Sequence, residues 1–330
     1  MTMETMNLPP THEELVARVA ERMSTLGLTL AQVAAQSAIP KSTLAEWRAG
    51  KYRGDVQGVD VKAQRWLDAC AAGDEVRSAL PAVPTFLPLP TSLAWQTVFE
   101  YARAAADIGL IAGAPGTSKT MTARHYSETT PRVWLVTADA SVASPRGILK
   151  RLGETLGMEG RVTFTALVAR LRGTGGLVIV DEAQHLSVRA LDQLRAVNDL
   201  ADLGMVWMGN EPLRAAIEGL GQKGSTAQIS SRVGMFKSRS RPSVHDLNKM
   251  ITAWGVDDSA VRQALQWIGL REGGLREVTK TLRYACLLAL TDGRDKPALQ
   301  DIEASWTERR SGKLPKEALK NSPKVQEMAA

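Results

Sequence analysis

The stretch IGLIAGAPGTSKT, residues 108–120, constrains this chain more than any other. A continuous apolar run enters a glycine-rich turn, and helical periodicity over Met121–Tyr126 follows Lys119 and Thr120. An apolar run without alternation reads as a strand covered on both faces, which calls for a parallel sheet between two layers of helices. The glycines allow backbone N–H groups to close around phosphate oxygens at the positive end of a helix. Gly113, Ala114, Pro115, Gly116, Thr117, Ser118, Lys119 and Thr120 are therefore read as a phosphate loop for ATP. Lys119 is directed at the β/γ-phosphates and the Thr120 hydroxyl at Mg²⁺. The strict pattern places glycine where Ser118 stands. If that position needs a positive φ, serine costs roughly 1 kcal/mol or more; otherwise the change is neutral. The plainer alternative, a glycine-rich turn without ligand, is outweighed by the strand–loop–helix context.

VWLVT, GLVIV and GMVWM repeat the buried-strand pattern between helical stretches. GLVIVDEAQHL ends its strand on two carboxylates, and ligands of open α/β sheets sit at the carboxyl ends of strands. Asp181 is the candidate to hold Mg²⁺ through water, and Glu182 to polarise the attacking water for γ-phosphate cleavage. The competing reading is an acidic helix cap. His185 reads as a residue at a helix start rather than a ligand.

Residues 1–72 read as short helices. Thr11 and Glu14 form a capping box ahead of Leu15, Val19 and Met23. Leu30, Val33 and Ala34 face inward on the next helix, a turn follows at Ser37–Pro40, and Leu44 and Trp47 share a face of the helix beginning near Lys41. This is a helix-turn-helix pattern, in which the second helix enters the major groove N-terminus first. Lys41, Ser42, Thr43 and Arg48 are the candidate DNA contacts, with Lys51 and Arg53 near phosphates. A protein-docking helical domain has the same pattern. Four prolines in LPAVPTFLPLPTS place a linker over 73–92. An α/β part carrying the phosphate loop follows over 93–241, a helical part over 242–306 and a basic, loosely ordered tail over 307–330.

The 330 residues carry 41 basic and 35 acidic side chains, a net charge of +6, which by itself argues little. Its placement argues more. From Gly219 to Val244 there is no acid, while Lys223, Arg232, Lys237, Arg239 and Arg241 are present. Arg146, Lys150 and Arg151 cluster at a helix start, and Arg309, Arg310, Lys313, Lys316, Lys320 and Lys324 lie in the tail. Such cations neutralise phosphates without reading bases. The two cysteines, Cys70 and Cys286, fit reduced buried thiols, and the four histidines show no ligand spacing. The longest apolar run, Ala285–Leu290, is far too short for a bilayer, and no secretory leader is visible, so no membrane partner is expected.

The phosphate loop, DEAQHL and the strand LGMVWMGN ending at Asn210 resemble the AAA+ ATPases, giving an α/β fold expectation of a P-loop parallel sheet with a helical lid behind an all-α helix-turn-helix domain. The resemblance implies that Asn210 orients water and γ-phosphate, and that Arg276, in GGLREVTKTLRYA, faces the nucleotide. It also implies an arginine finger in SSRVGMFKSRSRP, with Arg232 the first choice and Arg214 the second. More narrowly, the order from GKYRGD and the RWL helix through the proline linker to GGLR resembles the phage Mu transposition protein B family. That likeness implies ATP-dependent, largely sequence-nonspecific binding of double-stranded DNA, a helical homo-oligomer, contact with and activation of a DDE-type transposase, and a place in the bacterial host cytoplasm. Two other readings are an ATP-switched helix-turn-helix transcription regulator and a generic AAA+ motor without a DNA role.

Overall fold

The computed structural model describes residues 10–79, 85–220, 232–310 and 312–319. The chain divides into two compact units, residues 1–80 and 81–330.

The first unit is all-α: α1 (His12–Leu26), α2 (Leu30–Ser37), α3 (Lys41–Arg48) and α4 (Val56–Ala79). Thr11 and Glu14 make the expected capping box, and Thr29 with Gln32 makes a second one at the start of α2. Each satisfies N–H groups that a helix start would otherwise leave without partners. The α2–α3 turn is held by Ala38 in the left-handed region, by buried Ile39 and by Pro40. Leu44 and fully buried Trp47 plug α3 into a core shared with Leu15, Val19, Val33, Val59 and Trp66. Trp47 Nε1 donates to Asp60 Oδ1 at 2.7 Å, and His12 Nδ1 lies 2.9 Å from the same oxygen, so one carboxylate on α4 ties α1 and α3 together.

Helix α4 continues well past residue 72, where the sequence placed the domain end. Residues 73–79 contain no proline, and the helix covers all of them. The other side of the expected 73–92 linker is displaced too. Pro90 opens α5 (Pro90–Ala105) as its first residue, where a missing N–H costs no helical bond.

The second unit carries a five-stranded parallel sheet in the order β2-β3-β4-β1-β5. Its strands are β1 (Ile108–Gly113), β2 (Val133–Thr137), β3 (Leu177–Asp181), β4 (Gly204–Gly209) and β5 (Val233–Arg239). One face, with Leu110, Val178, Val180, Met205 and Trp207, is covered by α7 (Pro145–Thr155), α8 (Phe164–Leu171), α9 (Val188–Ala201) and α10 (Glu211–Leu220). The other face, with Ile111, Ile179, Val206 and Met208, packs on α5 and α6 (Lys119–Thr129). Coverage on both sides is why β1, β3 and β4 are apolar throughout rather than alternating. The chain leaves β1 for one edge of the sheet and β4 for the other. A crevice therefore opens beyond the carboxyl ends of the central strands.

The acid-free sequence from Gly219 to Val244 predicts a basic loop, but its second half carries the edge strand β5, paired to β1 from Ile108↔Val233 to Gly113↔Arg239. Its inward positions are only partly buried and carry Lys237 among apolar residues, which weakened the apolar signal.

The lid comprises α11 (Val244–Ala253), α12 (Ser259–Gly269), α13 (Gly274–Thr291) and α14 (Leu299–Arg310). The tail, expected to be loose from residue 307, is anchored for part of its length. Helix α14 runs to Arg310, and α15 (Lys316–Leu319) packs on α12 with Leu314 and Ala318 buried. Arg309 and Arg310 both bond Glu277 Oε2, at 2.8 and 3.2 Å. Burial pushes the Glu277 carboxyl up, but the Arg309 hydrogen bond and the charges of Arg309, Arg310 and Lys280 bring it below its ordinary value. Arg309, half-buried, is therefore engaged inside the lid, while Arg310 stays exposed beside the same carboxylate.

Replacing Trp47 by Phe removes the donor to Asp60 and part of a fully buried indole, leaving a small cavity. The expected cost is about 2–4 kcal/mol, read from urea unfolding followed by circular dichroism. A variant as stable as the parent would show that this bond does not hold α3.

Candidate nucleotide site and basic surfaces

The P-loop joins β1 to α6 and is braced from three sides. Trp95 Nε1 on α5 donates to the Thr117 carbonyl at 2.9 Å, and the Ser92 and Ser118 hydroxyls lie 3.1 Å apart. The Ala114 N–H donates to the Arg239 carbonyl at the end of β5, at 3.0 Å. From the lid, the Leu275 N–H donates to the Gly116 carbonyl at 3.0 Å. The approach is so close that a Cβ on Gly116 would fall 1.9 Å from the Gly273 carbonyl oxygen, so only glycine serves there.

Ser118 lies at φ 63, in the left-handed region. The position therefore does need a positive φ, and serine holds it with strain that glycine would avoid. The helix that follows has no side-chain cap, which leaves its first N–H groups facing the crevice.

Lys119 Nζ donates to the carbonyls of Gly113 and Ala114 at 2.6 and 3.1 Å. Burial lowers its pKa; Asp181 and Glu182 oppose that shift, while Arg276, at the start of α13, adds to it. Thr120 Oγ1 donates to Asp181 Oδ2 at 2.7 Å, joining the P-loop helix to the end of β3. Burial raises the Asp181 pKa against the opposing bonds from Thr120 and the Glu182 N–H. Lys119 and Asp181 are thus both pushed away from charge. A phosphate beside one and a divalent cation beside the other would stabilise the charged forms.

Glu182, directly after β3, sits at φ 55, and its Oε2 accepts from Gln184 Nε2 at 2.5 Å. Asn210 follows β4, and its buried Oδ1 has no hydrogen-bond partner among the described residues. An acceptor left open at the edge of a crevice fits a site that receives a donor from its ligand. The crevice, about 790 Å³, is lined by Ala114, Pro115, Asn210, Arg239 and Arg241 among others. By sequence position Arg239 and Arg241 are expected to be loop cations for DNA. The structure puts them beside the P-loop, because β5 runs parallel to β1 and ends at the same edge.

Arg232 lies at the opposite end of β5, with Asp199 Oδ1 3.4 Å away. It stands a strand length from the P-loop of its own subunit, so a finger role could serve only a neighbouring one. The side chain of Arg214 and residues Lys223, Lys320 and Lys324 lie outside the described residues.

Among the DNA candidates, Lys41 and Ser42 are exposed at the start of α3, as are Lys51 and Arg53 beyond it, and Thr43 is half-buried. Arg48 is half-buried, with its Nε enclosed. Arg146 is exposed in the first turn of α7. Lys150 pairs with Glu154 at 3.7 Å, and Arg151 with Asp139 at 3.4 Å. Lys237 Nζ donates to the Ala94 carbonyl. The features that sequence reasoning passed over are Gln184, the braces from Ser92 and Trp95, and the glycine contact under the lid. Of these, only the paired glycines before Leu275 left a local signal.

The sheet order, the P-loop facing an acidic strand end and the helical lid define an AAA+ P-loop NTPase. Residues 102–217 match the AAA domain family, and residues 231–308 match the family described as Mu B transposition protein, C terminal. The ATP-dependent target DNA activator B of Escherichia phage Mu is 32% identical over 267 residues, covering 79% of this chain and 84% of that protein. The Mu-like prophage FluMu DNA transposition protein B of Haemophilus influenzae is 30% identical over 279 residues, covering 82% and 96%. The chain belongs to the Mu transposition protein B family. At the level of fold, the Aeropyrum pernix ORC2 protein superposes with a TM-score of 0.53 at 16% identity, covering 72% of this chain and 71% of that one. The Aeropyrum pernix ORC1 protein, solved in complex with DNA, gives 0.51 at 17% identity, covering 70% and 68%.

Ser118→Gly is expected to stabilise the protein by roughly 0.5–1 kcal/mol, the relief of the left-handed backbone net of the looser unfolded chain and the lost Ser92 contact. Thermal unfolding of the two proteins checks it, and a less stable glycine variant would contradict it.

Proposed function

We propose that this protein is an ATP-hydrolysing factor of DNA transposition. With ATP it binds double-stranded DNA largely without regard to sequence, assembles on it as a helical homo-oligomer, and delivers it to a DDE-type transposase that it activates. The observation that carries this reading is the convergence of Lys119, Thr120, Asp181, Glu182 and Asn210 at the ends of β1, β3 and β4 beneath the lid. The names of the phage relatives support the DNA and transposition side of it.

Lys119 leaves the P-loop carbonyls to meet the phosphates, assisted by the backbone N–H groups at the start of α6. Thr120 and Asp181 are the residues to hold Mg²⁺, which would supply charge neutralisation at the phosphates. Glu182 accepts a proton from water, and Asn210 Oδ1 accepts a hydrogen bond from the same water and so orients it. Arg276 contributes from the lid, so closure of the lid and completion of the site are one event. Arg232, or Arg214, acts on the nucleotide of the next subunit, which makes hydrolysis depend on assembly. Exposed cations at Lys41, Arg53 and Arg146 meet DNA phosphates.

Glu182→Gln should lower ATP turnover by on the order of 10²–10⁴ while prolonging the DNA-bound state, and Lys119→Ala should abolish both nucleotide and DNA binding. The checks are phosphate release and electron microscopy on arbitrary duplex DNA with and without ATP. ATP-dependent filaments are expected. A protein that forms no DNA-bound oligomer with ATP would sink the mechanism, and preference for one sequence above roughly 10³-fold would favour a transcription regulator.

A further inference from the structure

Gln184 lies within DEAQHL, yet none of the roles given above falls to it. Its amide nitrogen donates to Glu182 Oε2 at 2.5 Å. Its amide oxygen is buried, with no hydrogen-bond partner among the described residues. That oxygen occupies the space beside Gly209 where a Cβ would stand, at 2.5 Å. Gly209 is the last residue of β4, and Asn210 follows it. The ladder between β3 and β4 has its last pair at Val180↔Trp207, so the backbone does not couple the strands where Asp181, Glu182 and Asn210 emerge.

We propose that Gln184 is a positioning residue that fixes the Glu182 carboxylate against the end of β4, in register with Asn210. The inference rests on Glu182 being the base for water, as proposed above. A glutamate side chain has several rotatable bonds, and one directed donor on Oε2 selects one orientation while leaving Oε1 outside that bond. A primary amide is suited to this post, since it offers a donor to a carboxylate without bringing a charge of its own. Glycine at 209 is the complementary requirement, because a Cβ there would press first on the amide and next on the Leu213 side chain, at 2.8 Å.

The test uses the full chain with duplex DNA and compares kcat, KM, the affinity for a fluorescent ATP analogue and the thermal midpoint. Gln184→Met keeps the volume and removes the donor. It should lower kcat on the order of tenfold, as a misplaced reacting group does, with KM, affinity and midpoint unchanged. Gly209→Ala should reproduce the loss by pushing the amide aside, and the double variant should be no slower than either single one. If Gly209→Ala does not fold, Gln184→Glu replaces it; a carboxylate set against Glu182 should fall at least as far as methionine. Unchanged kcat in Gln184→Met, a loss that follows affinity or midpoint, or additive losses in the double variant would overturn the proposal. Glu182→Gln run in parallel keeps the two readings apart. If it stays active, the role of Glu182 fails; if it is inactive while Gln184→Met is normal, only the role of Gln184 fails.

Discussion

The contact on which the site depends is the seating of the α13 N-terminus on the P-loop. One backbone hydrogen bond, from the Leu275 N–H to the Gly116 carbonyl, and the bare Cα of Gly116 against the Gly273 carbonyl bring two segments far apart in sequence into direct apposition. The left-handed Gly273 and Gly274 turn the chain so that α13 begins at the loop. From this one placement follow the nearness of Arg276 to Lys119 and the roofing of the crevice. A lid so attached cannot move without altering the phosphate loop, and this physically joins binding of nucleotide to the disposition of the helices behind it.

The second layer of the design is a set of braces on the residues proposed to act on the nucleotide. Ser92 and Trp95 hold the loop from α5, Thr120 reaches across to Asp181, and Gln184 reaches Glu182. Asp246 does the same work on a larger scale. Its buried carboxylate takes the Thr91 N–H and hydroxyl at the start of α5 and the Ser243 N–H and hydroxyl at the start of α11. Core and lid thus share a single polar anchor next to the helix that supports the P-loop. Buried polar groups satisfied in this way define one arrangement, because each alternative leaves a partner unbonded.

Much of the fold was legible in residue order. The buried strands announced themselves through apolar runs, and the first helix start through Thr11 and Glu14. Strand β5 was not legible, because it lies at an edge and carries cations on positions that are only half covered. The end of α4 was misplaced because proline marks where a helix must stop, and the polar residues before it carry no mark of their own. The tail was read as loose because its charge is plain and its partner, Glu277, lies 32 and 33 residues upstream of the two arginines it binds.

Local chemistry therefore determined the P-loop, the acidic strand end and the helix-turn-helix, since each is built from neighbours along the chain. It also posed the question of Ser118 without answering it. Tertiary structure decided what those neighbours face. It set Ser118 in the left-handed region, turned Arg239 and Arg241 toward the crevice and Arg232 away from it, and brought Arg309 and Arg310 to a buried carboxylate. The reason is that charge and backbone strain are settled by what lies across a gap in space, and a parallel sheet brings distant segments to a common edge.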